Sequence, residues 1–141
     1  MNAKKLWPIL LLLPVLLALA LPRFIGRDAG PAPVVQCADP VGGCRVRFGD
    51  QVAQVRFLSN PVPLQPFELT VQASGAERMA ANFAMQGMDM GPNRYVLERS
   101  ADGLWHGKII LPVCVSGTSS WIMTLELDDG KRVQIPFVAK K

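Results

Sequence analysis

Three thioethers crowd one short stretch, FAMQGMDMGPNRY at residues 83–95: Met85, Met88 and Met90. The whole chain has six methionines, and one of them is Met1. Thioether sulfur is soft, uncharged and never protonated in this pH range. It selects Cu(I) over hard ions and keeps binding where His and Cys lose ligand strength to protons. Gly87 and Gly91 flank the cluster and let the chain curl, so the three sulfurs can reach one point. The competing role is packing, because methionine fills irregular gaps in cores and adaptable contact surfaces. Spacing alone leaves both roles open.

Two further side chains could complete a soft-metal site. His106 is the only histidine. It follows Trp105 on an expected strand, so the two side chains point to opposite faces. Its plainer role is a solvent-facing residue of a half-exposed strand. Cys114, in LPVCVSG, is a thiolate ligand or an intermolecular link in one reading and a buried small hydrophobe in the other. Asp89 could accept hydrogen bonds that shape the methionine loop, and Asn93 and Arg94 could fix the turn after it.

Catalytic chemistry finds little to stand on. There is no G-x-S-x-G, and any Ser-His-Asp set would have to recruit His106. No C-x-x-C is present, so a thioredoxin-like role lacks its motif. The run GGC at 42–44 has neither the strand-helix context nor the lysine of a phosphate loop. The domain is therefore expected to be non-enzymatic.

The start of the chain sets the compartment. Residues 6–22, LWPILLLLPVLLALALP, carry no charge, and Lys4 and Lys5 precede them. This is a basic segment followed by an apolar run of secretory type. Its 17 residues are just long enough to span a bilayer as a helix. An uncleaved signal-anchor is one reading. Cleavage at Ala18-Leu19-Ala20 is the other, with Pro14 and Pro22 counting against it. Both place residues 30–141 outside the cytoplasm. The expected organisation is an anchor or signal over 1–25, a linker over 26–36 and a domain over 37–141. The expected location is the bacterial inner membrane, single-pass, with the C-terminal domain in the periplasm.

The net charge of +4 sits mostly in the leader. Residues 1–30 hold four basic and one acidic residue, hence +3; the rest hold eleven and ten, hence +1. No basic run exceeds Lys140-Lys141, so nucleic-acid binding is not indicated. The three cysteines of an exported chain allow one internal disulfide and one left over. Cys37 and Cys44 bracket ADPVGG, whose Pro and Gly residues permit a tight return. That pair is expected to be bonded, leaving Cys114.

The elements that must position these residues are short strands. Val46 and Phe48, then Val52, Val55 and Phe57, flank a Gly49-Asp50 turn. Phe67, Leu69 and Val71 alternate with polar neighbours. Pro61, Pro63 and Pro66 before them suggest a strand at a sheet edge. Met79, Ala81, Phe83 and Met85 alternate in the same way. RYVLERS follows with Tyr95 and Leu97 inward, or Val96 in the other register. Turns at 101–103 and 129–130 separate LWHGKIILPV, WIMTLELD and KRVQIPFVA. Trp105 and Trp121 are expected core anchors. The pattern predicts an all-β domain, an immunoglobulin-like antiparallel β-sandwich of seven or eight short strands, behind one N-terminal transmembrane helix.

With these residues in view, the chain resembles the small membrane-anchored FixH-like and YtkA-like proteins of bacteria. The resemblance rests on MQGMDMGPNRY, on the anchor and on the size of the β domain. LPVCVSGTSSW adds a second patch. It implies copper handling or cytochrome oxidase maturation, with Met85, Met88 and Met90 as Cu(I) ligands. A histidine would follow the methionines in that pattern; Asn93 and Arg94 stand there instead. His106 and Cys114 are then the candidates for the last ligand. The implied partner is an inner-membrane copper protein or an oxidase-assembly factor. The alternative is a structural or adaptor β-sandwich that binds another membrane protein through its methionine loop.

Overall fold

Eight strands form where apolar and polar residues alternate, and each buries one face. In the computed structural model, residues 31–88, 90–113, 119–127 and 130–140 are described. Residues 6–22, Asp89 and Cys114, singled out above, lie outside these ranges. The strands are β1 (Cys44–Phe48), β2 (Gln51–Phe57), β3 (Phe67–Ala73), β4 (Met79–Met85), β5 (Arg94–Arg99), β6 (Trp105–Ile109), β7 (Ser120–Leu127) and β8 (Arg132–Val138). The compact unit they build spans Pro31–Lys141. Among the described residues, no helix is long and apolar enough to cross a membrane.

All strand pairs are antiparallel, in the order β1-β2-β3-β6-β5-β4-β7-β8. The expected all-β antiparallel class therefore holds. The two ladders are not separate sheets, however. β5 pairs with β4 over Arg94–Leu97 and then with β6 through Glu98↔His106 and Arg99↔Trp105. One eight-stranded sheet results, and it curls until β1 approaches β8, giving a barrel-like interior. Gly107 of β6 lies close against Leu97 of β5: a Cβ there would overlap Leu97 Cδ2, so a side chain at 107 would require the Leu97 tip to shift.

The interior is built from the inward positions of every strand. Phe57, Phe67, Phe83 and Phe137 meet edge to face, with centroids 5.1–6.2 Å apart, and tie β2, β3, β4 and β8 together. Each fully buried ring of this kind contributes about 1.5–3 kcal/mol relative to exposure. Trp105 and Trp121 are buried as expected. Leu97 is buried, Tyr95 half-buried and Val96 exposed, which selects the first of the two registers for β5. Tyr95 anchors its strand by donating its hydroxyl to the Ile110 carbonyl at 2.7 Å.

One placement differs from expectation. β3 lies inside the sheet, between β2 and β6, rather than at an edge. Pro61, Pro63 and Pro66 all precede its first residue, Phe67, so they remove no ladder donor from the strand. Among the described strands, the proline that does sit in a ladder is Pro136 of β8, opposite Ile122 of β7.

The outer side of β8 is covered by the N-terminal segment. Val35 donates its N–H to Gln134 O at 2.8 Å, and Gln134 donates to Pro33 O at 2.8 Å, as a short parallel bridge. From there the chain enters the disulfide loop. Cys37 and Cys44 are paired, with Cα atoms 5.8 Å apart. The loop between them is pinned to β2 by Phe57 N–H donating to Pro40 O and Arg56 Nε donating to Val41 O.

Candidate functional site

The methionine cluster begins inside the core and ends at the surface. Met85 is the last residue of β4 and shares the inward face of Phe83; it is 4% exposed. The chain then turns. Met88 donates its backbone N–H to Met85 O at 3.2 Å, and Gly87 takes φ +79° between them. A glycine with positive φ at the third position, closed by this bond, is a turn of type II kind. Gln86 N–H is held by Ser120 O at 3.0 Å, which fixes the turn to β7. Phe83 N–H donates to Asn93 O at 2.9 Å and closes the whole loop at its neck. Gly91 also takes a positive φ, +72°.

The three side chains thus differ in setting. Met85 is buried, Met90 is partly buried against the core, and Met88 is 36% exposed. All three belong to one loop at one end of the sheet. Across the ladder, Met85 stands opposite Trp121, whose buried indole N–H has no partner among the described residues. Beside the turn lies a hollow of about 410 Å³, lined by Gln86, Ser120, Trp121, Cys37, Pro61 and Phe137 among others. Arg94, next to the neck, is drawn off by Glu126 in an exposed pair at 3.1 Å.

His106 is placed elsewhere. It pairs with Glu98 on β5, one residue past Leu97, and Leu97 stands opposite Met79 at the start of β4. Met85 is at the other end of β4, roughly 20 Å along the strand at the usual rise per residue. The register therefore does not bring His106 to the methionine turn. Its Nδ1 lies 2.8 Å from Glu68 Oε1 instead. Glu68 carried no signal in the sequence, because the two residues are 38 positions apart and meet only through the β3–β6 ladder. Cys114, the other candidate ligand, and Asp89, expected to shape the loop, lie outside the described residues. Among the described residues, no three His, Cys, Asp or Glu side chains gather as a metal site.

Asp102, fully exposed between β5 and β6, is held below its ordinary value by the Ser100 hydroxyl and then by the Leu104 backbone N–H.

No family model, no curated protein and no solved structure matches this chain. The functional reading accordingly rests on the loop itself.

Proposed function

We propose that this is a membrane-tethered periplasmic domain that binds Cu(I) through its methionine turn and passes the ion to a membrane copper protein or an oxidase-assembly factor. One observation carries the reading: the Gly87 turn sets Met85 and Met88 at its two ends, with Met90 on the same closed loop. Residues at the ends of such a turn have Cα atoms within about 7 Å, close enough for two flexible thioethers to share one ion. Met88 at the surface gives the ion a way in. Met85 and Met90, held from below by packing, give it a fixed seat. Copper is cargo here: a neutral, soft and low-coordinate donor set suits ligand exchange with a partner. His106 is left out of the set by the strand register, and Cys114 stays a candidate on sequence grounds. The tether is the apolar segment 6–22. The sheet is then an immunoglobulin-like sandwich in which β5 is shared by both halves. The FixH-like and YtkA-like resemblance, carried by the same methionines, points the same way.

X-ray absorption of the Cu(I)-loaded Cys114→Ser variant tests the donor set. A first shell made of sulfur alone is the expected spectrum. A shell dominated by nitrogen or oxygen contradicts it.

One observation favours the adaptor reading. Met85 is almost wholly buried and Met90 packs on the core, so both already serve the interior. On that reading Met88 is an apolar contact for another membrane protein. Leucine at positions 85, 88 and 90 would then preserve partner binding.

A further inference from the structure

Another hollow is lined by the Glu68–His106 pair, and we propose that it is a site for a divalent transition-metal ion of the Zn(II) or Cu(II) kind, ligated by His106 Nε2 and the Glu98 carboxylate. This does not rest on the methionine turn, which is at the other end of β4.

The hollow exists because the sheet parts there. The β5–β6 ladder stops at Glu98↔His106, and beyond it β5 turns to β4. A cavity of about 630 Å³ opens along the parting, lined by Leu58, Pro66, Val96, Glu98, His106 and Lys108 among others. Val96 and Leu58 are 67% and 52% exposed at its walls. In a neutral imidazole bonded to a carboxylate, the proton belongs to the bonded nitrogen, since a carboxylate can only accept. Glu68 therefore fixes the tautomer with Nδ1–H, and Nε2 keeps its lone pair. A carboxylate holding the far nitrogen is the usual support of a metal-ligating histidine.

Glu98 supplies the second ligand. It is the direct ladder partner of His106, and paired residues of an antiparallel ladder project on the same face. Among the described residues, no hydrogen bond or ion pair engages its carboxylate. Lys108 also borders the cavity, and its charge works against a cation held by charge alone. It works less against an ion bound through imidazole, which is the preference of zinc and copper. With two protein ligands and no third among the described residues, water completes the coordination.

His106 is the only histidine, so one imidazole reports on the site without ambiguity. The experiment is a Zn(II) titration of the untagged full chain in the Cys114→Ser background, followed by nitrogen-detected imidazole NMR. The Nε2 resonance of His106 is expected to move with saturation. Affinity is expected to fall at least tenfold in His106→Gln and in Glu98→Gln, and to be unchanged in Met88→Leu. An imidazole spectrum unmoved by Zn(II) overturns the site, whether or not the variants fold. Undiminished affinity in Glu98→Gln overturns the assignment of that ligand. Failure of Cu(I) binding at the methionines would leave these readouts untouched, so the two readings fail separately.

Discussion

Met88 donates its backbone N–H to the carbonyl of Met85 at 3.2 Å, so two thioethers leave the same turn as its first and last residues. The bond depends on Gly87 at φ +79°, and an added Cβ there would meet no heavy atom within 4 Å. The cost of Gly87→Ala is therefore conformational, about 1–2 kcal/mol for an L-residue in the left-handed region. Urea unfolding should show that loss, and Cu(I) affinity should fall with it. An unchanged midpoint would mean the turn is not held in this form.

Burial separates the methionines. Met85→Ala empties a core position and is expected to cost about 2–5 kcal/mol. Met85→Leu keeps the volume and should cost less than about 1.5 kcal/mol. Met88→Leu, at the surface, should stay within about 0.5 kcal/mol. Chemical denaturation of the three variants checks the order. Equal, small losses at 85 and 88 would contradict the placement of Met85 in the core.

Cys37 and Cys44 close a short loop pinned to β2. Replacing both with serine should remove about 2–3 kcal/mol by the chain-entropy model. The same loss should appear when the native protein is unfolded in reductant. A reductant-insensitive midpoint would show that the bond contributes nothing.

Asp102 gives the fold one acid-sensitive contact. Its folded pKa lies below the ordinary 3.8, through the Ser100 hydroxyl and the Leu104 N–H. A depressed carboxylate contributes stability that is present above its unfolded value and is lost as pH falls through the folded one. Asp102→Asn should therefore flatten the stability profile below about pH 4 and leave its shape above that range unchanged. A mutant profile parallel to wild type down to pH 2 would contradict the shift.

Much of this was legible in the chain. Phe67, Leu69 and Val71, and Met79, Ala81, Phe83 and Met85, announced their strands by alternation, and the second series already put Met85 inward with Phe83. What alternation cannot give is which strands become neighbours. Pro61, Pro63 and Pro66 suggested an edge, yet they end before β3 begins, and β3 is interior. The sharing of β5 is likewise a matter of register, passing from β4 at Leu97 to β6 at Glu98. His106 was legible as a candidate ligand but not as the partner of Glu68, since that contact is made by register alone. The cover over β8 was hidden as well, because Pro33–Val35 carries no strand pattern and bonds only through its backbone.

The most direct test of the central claim is Cu(I) competition against a chromophoric chelator, with Met85, Met88 and Met90 replaced together by leucine in a parallel sample. One-to-one withdrawal of copper is expected for the wild type and for the Cys114→Ser and His106→Gln variants. That withdrawal is expected to be lost in the folded triple-leucine variant. Copper withdrawn equally by the triple variant, or by none of the proteins, would contradict it and leave the methionine turn as a packing and contact element.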